Sequence, residues 1–302
     1  MSDMRDLVLG LAEHLWEAIA TGRDRVGNRY VSGTAQGGDA EFPVDVLAEQ
    51  AAAQFLTAAG VPVAIYTESA GLTVLGKNPS HVLVIDPIDG TRGAAADLEM
   101  ACISIAAAPY GPAPTIGDVD HAVLKEVKTG RVLYADDNSE LELSSGGGAC
   151  LSSTTSLERM FWSAEFNGHP ADLMLGAYGH LIDVSANTGA FYVFCSASFS
   201  LSRIITGQMD AYADVGNRLL RDHPEMEPAF RRVGHGSILH LFPYDIAASV
   251  YLAERAGVVI TDGYGASLRT TALLDISVHN QRSCIAASTP QLHAALLESI
   301  RW

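Results

Sequence analysis

The chain has 302 residues, 48% of them hydrophobic and 18% charged, with a net charge of −16. That is enough apolar material for one large core or two coupled subdomains, and it is not the composition of a disordered chain. The acidity argues against a nucleic-acid partner and against docking on anionic membranes, because both are bound through Lys and Arg.

The first segment, MSDMRDLVLGLAEHLWEAIA, has Leu7, Leu11, Leu15 and Ile19 at intervals of four, which predicts an amphipathic helix over 4–21. Asp6, Glu13 and Glu17 interrupt it, so it does not read as a secretory signal, and no run approaches the roughly 20 apolar residues of a membrane span. A glycine-rich loop, SGTAQGGDAEF, follows; Pro43 then opens a second helix to Ala59, ended by Gly60. VPVAIY (61–66) and HVLVI (81–85) read as strands, the second apolar at consecutive positions and therefore covered on both faces. ACISIAAAPY (101–110) and the pair HAVLKEV and RVLYAD (121–136) read as antiparallel strands, the pair turning at Thr129-Gly130.

The low-complexity stretch LELSSGGGACLSSTTS (141–156) marks the expected boundary between an N-terminal subdomain, 1–145, and a C-terminal one, 146–302. Beyond it come a strand in RMFWSAEF, helices near 170–182 and 196–207, a strand at 210–214, a helix over 244–256, and VVIT (258–261) as the last clear strand. Mixed alternation of helices and strands predicts a layered α/β or α+β architecture. Cys102, Cys150, Cys195 and Cys284 form no C-x-x-C pair, which predicts reduced thiols of a cytosolic protein.

The chemistry concentrates in VLVIDPIDGT, 82–91, where a buried strand runs into Asp86 and Asp89. Two like charges at the end of a buried strand repel unless something neutralises them. The two carboxylates and the Ile88 carbonyl can converge on a hard cation such as Mg²⁺, which takes about six oxygens. Gly90 and Thr91 then begin a helix, whose N–H groups make a phosphate cradle. Short motifs of this kind also occur as solvated surface turns. Three more carboxylates stand at strand ends or helix starts: Glu68 in YTESAG, Asp45 in FPVDVLAEQAA and Asp245 in FPYDIAASVYLAERAG. Such positions are where active sites of layered α/β folds form.

DPIDGT, with FPYDIAAS downstream and SASFSLSRIITGQMDAYAD (196–214) between them, resembles the inositol monophosphatase and fructose-1,6-bisphosphatase superfamily over most of the chain. The resemblance implies an alternating αβαβα sandwich and a Mg²⁺-dependent, lithium-sensitive phosphatase that commonly dimerises. It implies that Asp86 bridges two metals, that Glu68 and the Ile88 carbonyl join it on the first, and that Asp89 and Asp245 complete the second. A third ion would lie near Asp45 and Glu68. Thr91 and the Asp45 neighbourhood would orient the attacking water, with Glu68 counted in the catalytic set. Gly90 and Thr91 would hold the phosphate, and Ala197 and Asp214 would contact the hydroxyl-bearing part of the substrate. The expected partner is a small phosphorylated metabolite, and the expected assembly a homodimer.

The sequence departs from the family at four places. One glutamate, Glu68, stands where the family has two, and a one-residue shift would put Thr67 there instead. Gly93 replaces an Asn, and Tyr244 and Ser249 replace a Trp and a Gly. The segment between Asp214 and Asp245 is longer and holds Arg218, Arg221, Arg231 and Arg232 in a chain of only 16 arginines and 3 lysines. Those arginines either pair with Asp222, Glu225 and Glu227 on a solvated face or, in the sharper expectation, Arg231 and Arg232 bind a second anionic group of the substrate. The functional expectation is a metal-dependent phosphomonoesterase. The alternative is a weakened family member that only binds a phosphorylated ligand or partner.

Overall fold

The computed structural model describes residues 4–26 and 29–302. Two helices come first, α1 (Met4–Val26) and α2 (Pro43–Ala59), separated by a small ribbon of β1 (Gly33–Thr34) and β2 (Ala40–Glu41). Then come β3 (Val63–Thr67), β4 (Gly71–Leu75), β5 (His81–Asp89), the short α3 (Thr91–Ala95), β6 (Cys102–Pro109), β7 (His121–Glu126), β8 (Val132–Asp136) and β9 (Glu142–Leu143). They form a seven-stranded sheet in the order β4-β3-β5-β6-β7-β8-β9, with only β3 and β5 parallel.

The second half holds β10 (Phe161–Ala164), α4 (Ala171–Ser185), β11 (Ala190–Tyr192), α5 (Ala197–Ile205), β12 (Ala211–Asp214), α6 (Gly216–Asp222), α7 (Glu227–Val233), α8 (Pro243–Ala256), β13 (Val259–Thr261), β14 (Cys284–Ala287) and α9 (Pro290–Ser299). Its sheet runs β11-β10-β12-β14-β13.

Side-chain alternation builds the layers. On β5, Leu83 and Ile85 pack with Leu7, Leu11, Leu15 and Leu56 of α1 and α2, while Val82 and Val84 face the opposite side. There they join Leu201 and Ile204 of α5, Val250 and Leu252 of α8, and Tyr212 and Ala286 of the second sheet. The far face of that sheet carries Trp162 and Ile285 against Tyr178 of α4 and Leu292 and Leu296 of α9. The order is therefore helices, sheet, helices, sheet, helices: the αβαβα sandwich. Each buried Leu or Ile contributes about 1.5–3 kcal/mol, so the three apolar layers dominate the fold's stability.

Three expectations need correction. β5 does not stop at Ile85 but continues through Asp89. VVIT is not the last strand, because β14 lies between β12 and β13. β4 was not anticipated; Leu72 and Val74 are exposed on this edge strand, so it lacks the apolar pattern of a core strand. Among the described residues no helix is long and apolar enough to cross a membrane.

Candidate active site

Residues three apart on a regular strand face opposite sides of the sheet. On β5 the pairing with β6 steps from Asp86–Ser104 to Asp89–Cys102, so two residues, Pro87 and Ile88, oppose the single Ile103. This bulge restores the same side to Asp86 and Asp89, and Pro87 fits it because a bulged residue need not donate to the ladder. Both carboxylates line one cavity of about 120 Å³. Gly90 then turns the chain with φ +91°; a Cβ there would lie 2.4 Å from the Met100 carbonyl oxygen.

The other walls come from element ends. Asp45 and Asp245 hold the same place in two FP-x-D helix starts, and the Oδ2 of each accepts the backbone N–H of the preceding Phe, Phe42 at 2.8 Å and Phe242 at 2.6 Å. Asp45 Oδ1 is left for the Thr91 hydroxyl, which donates to it at 2.8 Å, with the Ile88 carbonyl oxygen 3.0 Å away. Asp89 Oδ2 accepts the Ser198 N–H at 2.6 Å, at the positive end of α5. Ser196 caps that helix through its Oγ, 3.1 Å from the Phe199 nitrogen. Ser249, a departure from the family glycine, is buried and hydrogen-bonded to Ser198 across α5 and α8 at 2.9 Å.

Glu68, Asp86, Ile88, Asp89, Gly90, Thr91, Ala197, Asp214 and Asp245 all line this cavity. Asp45 does not line it and reaches it through Thr91. Glu68 rather than Thr67 faces inward: the Thr67 hydroxyl accepts the Ala70 N–H at 3.1 Å, closing the turn to β4. Gly93 explains itself sterically, since a Cβ would lie 2.7 Å from the Met100 carbonyl oxygen and no Asn fits here.

The two arginines proposed from sequence are elsewhere. Neither Arg231 nor Arg232 lines the cavity. Arg231 binds Glu227 at 2.6 Å one helical turn away and the Gly236 carbonyl at 2.7 Å, and Arg232 is exposed on the same short helix. Local pairing on α7 outcompetes reach toward the site. The long segment enters the cavity instead through Leu239, His240 and Leu241. The arginine that lines it is Arg92, held 2.9 Å from Asp39. Asp39, Arg92, Glu165, His169, Cys195 and His240 are lining residues that motif reasoning missed. The repeated FP-x-D start was a readable signal for Asp45 and Asp245; of the six others, Arg92 directly follows DPIDGT on α3, and the remaining five come from loops and strand ends with no motif of their own.

Burial and like charge act together on the cavity carboxylates. Burial pushes Asp86 well up, and the charges of Asp89, Asp245 and Glu68 push it further. Burial, then Asp89 and Glu68, does the same to Asp245. Burial and then the charge of Asp39 lift Glu68 to about 8, and burial lifts Asp89 to about 6 against its bonds to Ser198. Four buried carboxylates, three of them raised further by neighbouring charges, and served by one arginine already paired, are a donor set that fits a hard divalent cation. Burial and the nearby Glu165 push the Cys195 thiol up to about 11, which removes it as a thiolate nucleophile at neutral pH.

Among the described residues, only His81, Asp120 and His121 bring one ligand-type atom each within 4.8 Å of one another. They lie at the far end of β5 from Asp89. Asp120 bridges them at 3.0 Å to His81 Nε2 and 2.8 Å to His121 Nδ1; burial opposes its ionisation, but these bonds hold it down to about 2. The cavity carboxylates are spread more widely, as a set shared between ions would be.

The model of the inositol monophosphatase family matches residues 5–301. The chain belongs to this family. A relative described as fructose-1,6-bisphosphatase/inositol-1-monophosphatase, from Methanothermobacter thermautotrophicus, is 26% identical over 263 residues, 85% of this chain and 82% of that protein. Among solved structures, the Thermotoga maritima IMPase TM1415 superposes with a TM-score of 0.68 at 18% identity, covering 98% of this chain and 96% of that one. The MJ0109 gene product, an inositol monophosphatase–fructose 1,6-bisphosphatase, gives 0.72 at 17% identity, covering 99% and 100%. These likenesses show the fold; with the family match they make the chain a member of a metal-dependent phosphatase family.

Proposed function

We propose that the protein is a Mg²⁺-dependent phosphatase of small phosphate monoesters, a phosphorylated polyol or sugar. The observation that carries this reading is the convergence of Glu68 after β3, Asp86 and Asp89 on β5 and Asp245 on α8 in one buried cavity. In this reading Glu68, Asp86, the Ile88 carbonyl, Asp89 and Asp245 hold two or three Mg²⁺ ions. When bound, the metal neutralises phosphate charge and lowers the pKa of water.

The chain's own groups do the positioning. The Thr91 hydroxyl donates its proton to Asp45 Oδ1, which leaves its lone pairs to accept a hydrogen bond from the attacking water. Burial raises Asp45 to about 6, against the bonds from Phe42 and Thr91, so this carboxylate sits near neutrality and can share a proton with that chain. Gly90 and Thr91 present backbone N–H groups to the phosphate at the start of α3. Ala197 at the start of α5 and Asp214 at the end of β12 line the cavity and face the alcohol part. The metabolite partner in this reading is small.

The same reading includes a homodimer. Phe161 of β10 and Tyr192 and Val193 at the edge strand β11 are exposed apolar residues close together on the second sheet. The test of function is phosphate release from a panel of small phosphate esters, with Mg²⁺ and with EDTA. Release from at least one ester with Mg²⁺, abolished by EDTA, supports the reading; release from none overturns it.

A further inference from the structure

A second polar cavity, of about 210 Å³, is lined by Asn217, Arg218 and Arg221 of α6 and by Arg282 just before β14. It shares no lining residue with the carboxylate cavity. Asn217 stands between the two: it lines the second cavity, and its amide nitrogen lies 3.3 Å from Nδ1 of His240, which lines the first. In a chain of net charge −16 with only 16 arginines, three of them meet here.

The three are not equivalent. Arg218 is committed: it donates to Asp222 at 3.2 Å and lies over the rings of Trp302 and Tyr264, at 3.7 and 4.7 Å. Arg221 and Arg282 instead donate to one neutral atom, the His279 carbonyl oxygen, at 2.7 and 3.2 Å. Among the described residues that is the one hydrogen bond of Arg221, so most of its N–H donors remain available on an exposed side chain. The other bonds of Arg282 go to the Thr271 hydroxyl, the Gln281 carbonyl and the Asn280 side-chain oxygen, at 3.0, 3.0 and 3.1 Å. Those bonds hold its guanidinium in place without neutralising it.

Two cations thus converge on a shared carbonyl with no carboxylate paired to either. The carboxylate lining the cavity, Asp262, spends its Oδ1 on the Tyr264 and Ala266 N–H groups, each at 2.8 Å. Burial and then the charge of Arg221 push Arg282 down, against the opposing charges of Asp262 and Asp275. Like charges brought together in this way are relieved by a counter-ion. Ser267, Thr270 and Ser283 add hydroxyls to the lining. Guanidinium N–H groups with hydroxyls beside them suit the oxygens of a phosphate group.

We propose that this cavity is an anion site that holds a phosphate group at Arg221 and Arg282, carried by inorganic phosphate or by a phosphorylated metabolite. It is separate from the carboxylate cavity, and its ligand neither reacts nor meets a metal, so the inference does not rest on the phosphatase reading.

The test uses the full chain in EDTA, where the unneutralised carboxylates of the first cavity repel anions. Inorganic phosphate and glycerol 2-phosphate are titrated at constant ionic strength and followed by phosphorus NMR. The wild type is expected to bind at least one of them saturably. Binding of phosphate alone identifies the free anion as the ligand, and tighter binding of the ester identifies a phosphorylated metabolite. Arg221→Gln should raise Kd at least about tenfold, as for the loss of a charge-assisted hydrogen bond. Arg282→Gln should do the same, with folding checked by Tm; Arg221, being exposed, keeps the test decisive if Arg282→Gln unfolds. Arg231→Gln removes the same charge from the same segment outside the cavity and should leave Kd unchanged. A wild type that binds neither anion, an Arg221→Gln that binds as the wild type does, or an equal loss in Arg231→Gln overturns the inference.

Discussion

At the residue scale, the site depends on buried carboxylates kept close to one another. Glu68 is placed by the end of β3, with Thr67 committed to the turn behind it. Glu68→Gln is therefore expected to weaken Mg²⁺ binding at least about tenfold, since a charged ligand is lost, while Thr67→Val changes it far less. Calorimetric titration checks the order, and the reverse order would assign the ligand to Thr67. The raised carboxylates also set a pH dependence. Glu68, Asp89, Glu165 and Asp214 rise to about 8, 6, 7 and 7, each chiefly through burial. Their folded-state values lie above the unfolded ones, so the folded protein holds more protons between about pH 4 and 8. Stability is fully present below the unfolded values and is lost as pH rises through the folded ones. Metal-free protein should thus show a Tm that falls from pH 5 to pH 8, and the rise in Tm on adding Mg²⁺ should grow over the same range. A flat or rising Tm in EDTA would contradict the burial of these groups as the cause of their raised values.

At the element scale, the bulge in β5 and the turn at Gly90 aim the site. Gly90→Ala combines φ +91° with a contact of 2.4 Å to a backbone oxygen. A loss of about 2–4 kcal/mol is expected from strain and displaced backbone, measurable by urea denaturation; a loss under about 0.5 kcal/mol would mean the turn is not so constrained. The elements differ in how far the sequence announced them. α2 was readable from Pro43, its apolar spacing and Gly60, and Gly60 does take the left-handed conformation that ends the helix. β14 was not: CIAA is four residues long, follows a polar loop, and gains its place only by pairing with β12 and β13. Asp86 and Asp89 were readable because a buried strand rarely ends in charge. His169 and His240 were not, because their stacking joins positions 71 residues apart in sequence through Gly216 and Phe230. The arginines of the long segment misled for a related reason. Arg231 has an acidic residue four positions earlier on its own helix, and that local pairing kept it from the cavity.

At the scale of the whole molecule, the parallel strands β3 and β5 of the first sheet and β10 and β12 of the second all end at the cavity, so neither sheet alone forms the site. The exposed Phe161, Tyr192 and Val193 at the edge of the second sheet predict a homodimer through that edge. Light scattering should give twice the chain mass, and Tyr192→Glu should shift the protein toward monomer; a wild-type monomer at all concentrations would contradict it. The central claim is that the carboxylate cavity works through bound divalent metal. The most direct measurement is phosphate release as a function of Mg²⁺ concentration for wild type and Asp89→Asn, using an ester the wild type hydrolyses and with folding checked by Tm. The account predicts no release in EDTA, a saturating rise with Mg²⁺ for the wild type, and turnover reduced at least about 100-fold in a folded Asp89→Asn. Undiminished release in EDTA, or turnover of Asp89→Asn within a few-fold of wild type, would contradict it.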